Sequence, residues 1–277
     1  MNERELFDNI SSEPAKQPFK WVMDLTASGR ILIAGCSGSG KSVALKDIIY
    51  TLMAKDPDTN QFVFVDLKRV ELKVFKNAPH TLAYVTEPEQ VEKALNNVLT
   101  VIDQRYRIME QHDQLVSSEP ALWVIVDEFA DLSCIGSKSI TKAIQRISQI
   151  GRAAKVNLIL ATQRPTSSDG ILKGAIACNL DSRLALRTVN AQDSRNILGC
   201  AGAELLPDYG KAIMQIKGRN STIDIPFLSQ DELRARVQAW HNTPRHYRSE
   251  QVQHRTAQDE AVIKHVLTAL YGKNARY

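Results

Sequence analysis

Short runs that are almost wholly apolar recur at residues 30–34, 61–66, 121–126 and 158–161, each bounded by polar or glycine-rich turns. Runs of that length fit strands of a parallel sheet covered on both faces. The stretches between them carry a different period. Val43, Leu45, Ile48, Ile49 and Leu52 predict a helix over 41–53, and after Pro88 the residues Val91, Leu95, Val98, Ile102, Tyr106 and Met109 return at three- and four-residue steps, predicting one long amphipathic helix. A further helix is predicted over 139–154, and Asn190 suits the cap of a short one running to 197. Residues 182–188 read as another strand, while 211–216 and 221–225, separated by 217–220, read as a terminal hairpin. Strands alternating with helices imply a doubly wound α/β sheet, mainly parallel with helices on both faces, whose functional groups gather at the carboxyl ends of the strands.

The predicted organisation has three parts. Residues 1–18, with Ser11, Ser12, Pro14 and Pro18 and little periodicity, form a flexible lead-in. The α/β domain occupies 19–228. Two helical segments, 230–240 and 259–271, make a short basic appendage over 229–277, where Arg234, Arg236, Arg245, Arg248, Arg255, Lys264, Lys273 and Arg276 outnumber the acidic residues.

Composition adds limits. The chain has 277 residues, 43% of them hydrophobic, enough for one large core, and its net charge of +4 permits a nucleic-acid partner without requiring one. No apolar run approaches the roughly 20 residues of a membrane span, and Asn2, Glu3, Arg4 and Glu5 do not begin a signal peptide, so the expectation is a soluble cytoplasmic chain. Cys36, Cys134, Cys178 and Cys200 are scattered without metal-ligand spacing and read as reduced thiols.

The chemistry begins directly after the first apolar run, at Gly35-Cys36-Ser37-Gly38-Ser39-Gly40-Lys41-Ser42. Gly35, Gly40, Lys41 and Ser42 satisfy the G-x-x-x-x-G-K-[ST] pattern, in which glycines let backbone N–H groups converge on phosphates, the lysine adds charge and the serine hydroxyl serves Mg2+. The strand before it and the helix after it are the context this cradle requires. Asp127 and Glu128 end a later apolar run; Asp127 suits Mg2+ held together with Ser42, and Glu128 suits the base that polarises an attacking water. The competing reading is that the two acids only cap the next helix. Thr162-Gln163 ends the following strand, where the Gln163 amide either senses the terminal phosphate or orients the water, or else is an ordinary loop residue. The strand at 61–66, between the cradle strand and the acidic strand in sequence, is expected to lie between them in the sheet as well.

These residues, together with Val65-Asp66-Leu67-Lys68-Arg69-Val70-Glu71-Leu72, Arg105-Tyr106-Arg107-Ile108-Met109, Val124-Ile125-Val126-Asp127-Glu128-Phe129-Ala130-Asp131-Leu132, Arg152-Ala153-Ala154 and Ala161-Thr162-Gln163-Arg164-Pro165, resemble the motor domain of FtsK/SpoIIIE DNA translocases, within the HerA-FtsK superfamily of P-loop ATPases. Asp193-Ser194-Arg195 and Ala201-Gly202-Ala203-Glu204 continue the likeness, which runs over roughly residues 20 to 225. It implies a RecA-like P-loop NTPase assembled as a homo-hexameric ring, with ATP between subunits and double-stranded DNA in the central channel. It also implies an arginine supplied in trans, for which Arg152 is the first choice and Arg183 and Arg195 the runners-up. Chromosome-pumping members of that family carry membrane helices and a winged-helix module, neither recognisable here. The expected role is therefore a compact motor of a mobile element, phage or plasmid, with a protein partner for the tail. A conjugation or secretion coupling ATPase and a slow nucleotide-dependent assembly switch are the alternatives.

Overall fold

A computed structural model of the chain describes residues 20–54, 59–135, 138–163 and 175–241. The lead-in, the 259–271 segment and the Arg164-Pro165 end of the last quoted motif lie outside the described residues.

A short helix α1 (Lys20–Thr26) precedes β1 (Arg30–Ala34), and α2 (Lys41–Met53) follows the glycine-rich turn. Next come β2 (Asn60–Val65), β3 (Thr81–Val85), the long α3 (Pro88–Gln111) and β4 (Ala121–Val126). Helices α4 (Phe129–Ile135) and α5 (Lys138–Ile150) lead to β5 (Val156–Thr162), then α6 (Ala175–Asn179) and β6 (Ser182–Ala185). Helix α7 (Ala191–Leu198), the hairpin β7 (Lys211–Ile216) and β8 (Arg219–Asp224), and α8 (Gln230–His241) complete the described chain.

The strands form one sheet of eight in the order β3-β2-β4-β5-β1-β6-β7-β8, parallel from β3 to β6 and antiparallel across β6, β7 and β8. Successive side chains of a strand point to opposite faces, which divides the core in two. Leu32, Ala34, Val124, Val126, Leu158 and Leu160 pack beneath α3 and α5, whereas Ile31, Ile33, Phe62, Phe64, Ile125 and Ile159 pack against α1, α2 and α8. Both faces are covered, so the strands need no polar alternation. Helix α8, from the basic appendage, sits on the second face with Leu233 and Val237 buried and Trp240 stacked 5.2 Å from the Tyr50 ring.

Several expectations hold to within a residue or two, among them α2, α3 and α7, where the Asn190 side chain accepts from the Asp193 N–H at 2.9 Å. Others need correction. The strand between β1 and β4 is β5, and the 61–66 segment lies outside β4 as β2. Right-handed crossovers fix the hand of each connection but not how many places it skips, so sequence order leaves the sheet order open. Strand β3 has no counterpart among the expected elements; its five residues carry no strong period and gain definition by pairing with β2. Helix α5 stops at Ile150 rather than 154 because the chain turns beyond Gly151, with Lys155 N–H on Arg152 O, Val156 N–H on Gly151 O and Lys155 at φ 50°. A Cβ on Gly151 would lie 2.4 Å from Val156 O, so the turn admits only glycine there. The strand expected over 182–188 ends at Ala185, and the hairpin turns on two residues, Lys217 and Gly218, both at positive φ as a type I′ turn requires.

Asp47 on α2 is fully buried, and neither carboxylate oxygen has a hydrogen-bond partner among the described residues. Burial pushes its pKa up to about 7. The folded carboxyl therefore holds its proton more tightly than the unfolded one, and stability at this position is lost as pH rises from about 4 toward that value. Asp47→Asn is expected to stabilise the chain at pH 8 by up to about 4 kcal/mol, with the gain fading toward pH 4. Urea unfolding across that range checks it; a gain independent of pH would contradict the assignment.

Candidate functional site

Parallel register decides where the polar residues fall. Ala34 pairs level with Thr162 on one side and Ala185 on the other, and Val65 pairs level with Val126. The residues that follow β1, β2, β4 and β5 consequently share one edge of the sheet.

The turn after β1 is held by its neighbours. Gly35 N–H donates to Thr162 O at 3.4 Å and Cys36 N–H to Arg187 O at 2.9 Å, while Ser39 N–H closes the turn onto Cys36 O at 3.2 Å. A Cβ on Gly35 would stand 2.6 Å from Ser39 Oγ, and Gly38 and Gly40 sit at φ 78° and 87°, so the turn needs glycine at these places. Ser37 and Gly38 face solvent, and the Ser39 hydroxyl is buried with no hydrogen-bond partner among the described residues. Successive N–H groups at the start of α2 make a concavity suited to an anion.

Lys41 is buried, and its ammonium donates to the Asp127 carbonyl at 3.0 Å and to Asp127 Oδ1 at 3.1 Å. Burial pushes the Asp127 carboxyl up from its ordinary range, and Lys41 opposes that rise. Glu128, the next residue, is also buried. Its Oε1 accepts from the Thr162 hydroxyl at 2.8 Å, and the Gln163 N–H reaches both carboxylate oxygens at 3.1 Å. Lys68 Nζ lies 3.8 Å from Glu128 Oε2 and 3.2 Å from Asp131 Oδ2. Gln163 therefore meets Glu128 through its backbone as well as by position.

Three residues beside the cradle carried no assigned role in the motif reading. Asp66 ends β2 as Asp127 ends β4, and its Oδ2 accepts from the Leu72 N–H and the Tyr84 hydroxyl at 3.0 and 2.9 Å, fixing the 66–72 loop. That loop brings in Lys68 and Glu71. Glu71 pairs with Lys46 at 2.6 Å; burial works to raise its pKa, but hydrogen bonds and charge from Lys46, with Ser42 and Lys41, hold it below the ordinary value. The available signal was an acid at the end of an apolar strand, the same signal that marked Asp127.

Ser42 and Asp127 offer a hydroxyl and a carboxylate, oxygen donors suited to Mg2+, and the Ser42 hydroxyl helps to hold the Glu71 pKa below its ordinary value. Among the described residues no group of three or more His, Cys, Asp or Glu is placed to hold a metal. One carboxylate and one hydroxyl fit a small hard cation that completes its shell with phosphate oxygens and water.

The arginines lie elsewhere. Arg152 is exposed on the turn before β5, at the opposite end of that strand from Gln163, about 20 Å away by strand rise. Its turn is rigidly tied: Tyr106 Oη donates to Ile150 O at 2.9 Å, Arg105 donates to Ala154 O at 2.7 Å, and Ser117 N–H donates to Ala153 O at 2.8 Å. Burial pushes the Arg105 guanidinium down to about 10. Arg183 donates to the Ile197, Ala177 and Leu180 carbonyls and so braces α6 and α7 against β6, while Arg195 is exposed on α7.

The FtsK/SpoIIIE family model matches residues 6–118 and 111–167. The chain belongs to that family. A DNA translocase FtsK of Lactococcus lactis subsp. cremoris is 36% identical over 239 residues, covering 78% of this chain and 31% of the relative. The DNA translocase SpoIIIE of Bacillus subtilis is 35% identical over 248 residues, covering 81% and 30%. The chain thus spans about a third of the length of these curated relatives. Among solved structures, the pCW3 conjugation coupling protein TcpA with ATPγS superposes with a TM-score of 0.68 at 19% identity, covering 77% of this chain and 65% of that one. The type VII secretion ATPase EccC of Thermomonospora curvata gives 0.64 at 20% identity, covering 77% and 28%. These likenesses establish the RecA-like P-loop ATPase fold of this FtsK/SpoIIIE chain.

The Lys41–Asp127 pair is the most enclosed ion pair of the site. Lys41→Met, which keeps the length and removes the charge, is expected to cost about 3 kcal/mol because it strands a buried carboxylate. Adding Asp127→Asn should recover most of that loss. Chemical denaturation of the single and double variants checks both, and an additive double variant would argue against direct coupling.

Proposed function

We infer that this chain hydrolyses ATP and uses the energy to move double-stranded DNA, as a cytoplasmic ring of six subunits built from its 19–228 domain. The observation that supports the hydrolytic part best is the arrangement beside the cradle. Lys41 is fixed on Asp127, and Glu128, one residue on, is held at the Gln163 backbone where the terminal phosphate of a nucleotide in the Gly35–Ser42 turn would end.

In this reading the N–H groups from Cys36 to Ser42 cradle the phosphates and Lys41 balances their charge. Ser42 and Asp127 hold Mg2+, which when bound neutralises charge that builds on the phosphate oxygens. Glu128 takes the proton of the attacking water, and Gln163 orients that water or the terminal phosphate. The exposed Arg152 stands too far from its own cradle to serve it, and its tied turn suits insertion into a neighbour's site. Such an arginine contributes on the order of 10³-fold or more to turnover. The DNA part rests on the relatives, which are named DNA translocases. Within the 229–277 appendage α8 packs on the sheet, and the part beyond it is assigned to a protein partner.

Two measurements test the reading. Glu128→Gln is expected to bind ATP like the parent while turnover falls by a factor of about 100 or more; turnover at the parental rate would remove Glu128 from the base role. The parent's ATPase rate, followed with and without duplex DNA over a range of protein concentrations, should rise cooperatively with protein and by about tenfold or more with DNA, as a polymer substrate threaded through a ring would cause. A rate indifferent to DNA would favour a coupling ATPase or an assembly switch instead.

A further inference from the structure

Among the described residues, the acidic and amide groups at the phosphate end of the cradle lie on one flank. In the sheet, β5 and then β4 stand on one side of β1 and bring Thr162, Gln163, Asp127 and Glu128, whereas β6 and β7 stand on the other. A nucleotide whose terminal phosphate faces Glu128 and Gln163 must leave the cradle toward β6 and β7. That side carries a different surface. Val189, Leu205 and Tyr209 are 75%, 83% and 74% exposed there, on the segments that flank α7 and lead into β7.

Tyr209 is the aromatic among them, and it stands at the rim of the cradle. A Cβ built on Gly40 would lie 3.8 Å from Tyr209 Cβ and 3.6 Å from Leu186 Cδ2. Its position is tethered as well. Arg187 accepts the Cys36 N–H through its carbonyl at 2.9 Å, and its guanidinium pairs at 2.9 Å with Asp208, the residue before Tyr209. On the other side, Gly210 O accepts the Ile225 N–H at 2.9 Å, anchoring the segment to the hairpin. The segment at Tyr209 is thus tied on one side by the Asp208 side chain to Arg187, which bonds the cradle, and on the other by the Gly210 carbonyl to the hairpin, while the ring remains in solvent. A large exposed aromatic held beside a phosphate site offers a flat apolar face to a nucleobase.

We propose that Tyr209 forms the purine platform of this site, taking the adenine ring of the nucleotide whose phosphates lie in the Gly35–Ser42 turn. The assignment rests on the nucleotide reading above. It adds selectivity for a base, which the cradle, made of backbone N–H groups and a lysine, does not itself provide.

The test compares two ligands on the full chain with Mg2+, using calorimetry: ATP, and inorganic tripolyphosphate, which offers phosphates without a base. Tyr209→Ala is expected to weaken ATP binding on the order of tenfold and to leave tripolyphosphate within about twofold, with Tyr209→Trp restoring ATP. In the tryptophan variant, indole fluorescence should change with ATP and not with tripolyphosphate. Unchanged ATP affinity in Tyr209→Ala would overturn the proposal, as would an equal loss for both ligands. If the parent chain bound neither ligand, the nucleotide reading itself would fail, and this proposal with it.

Discussion

A buried ammonium must find a carboxylate, and Lys41 finds Asp127 from the far side of an intervening strand. The pair links the start of α2, which follows β1, with the end of β4. It forms because the continuous parallel register sets Ala34 level with Thr162 and Val126 level with Leu160, so that Asp127, just past the end of β4, falls within two residues of the level at which β1 ends. Each ion would be expensive to bury alone. The sheet order is therefore tied to the charge balance at its edge, because any order that removed β4 from reach of α2 would leave both ions unpaired. The same register brings Glu128, two residues past Val126, beside Thr162 and Gln163, so the acidic pair is divided between two tasks: Asp127 faces the cradle lysine, and Glu128 faces the end of β5.

Much of this was legible in the sequence, for reasons that can be named. The strands of the central sheet are apolar at successive positions because both faces are covered, and α3 shows its period because one side meets solvent. The cradle was legible because its chemistry depends on neighbouring backbone groups, which leaves a contiguous pattern from Gly35 to Ser42. Asp127 and Glu128 stood out as charges at the end of an apolar run.

What the sequence did not reveal depends on contacts between distant residues. The position of β5 between β1 and β4 is set by crossovers that leave no local mark, and that placement is what turns Thr162 and the Gln163 backbone into partners of Glu128. Tyr106 read as a stripe residue of a helix and Arg105 as part of a quoted motif, yet in the fold they donate to carbonyls of the 150–155 turn, so part of α3 serves to hold that turn. Lys68 and Glu71 reach the site only because Asp66 draws its own loop inward through the Leu72 N–H and Tyr84.

The braced turn bears on assembly. An exposed arginine on a loose loop loses side-chain and backbone freedom on entering a partner's site, and part of the interaction is spent on that ordering. Here three hydrogen bonds from α3 and the 117 region have already fixed the backbone around Arg152, leaving only the side chain to order. Arg152 and the cradle also occupy opposite ends of β5, so on the proposed reading one subunit presents the end that its neighbour's cradle receives. Such a contact joins two different surfaces and is head-to-tail. Repeated with a fixed rotation, it closes a ring when the rotation divides a full turn and otherwise continues as a filament. A symmetric pair would bring the same surfaces together and could not, through one such contact, complete both cradles unless Arg152 and the cradle shared a face. On that reading, their separation along the sheet argues for a head-to-tail contact over a symmetric one.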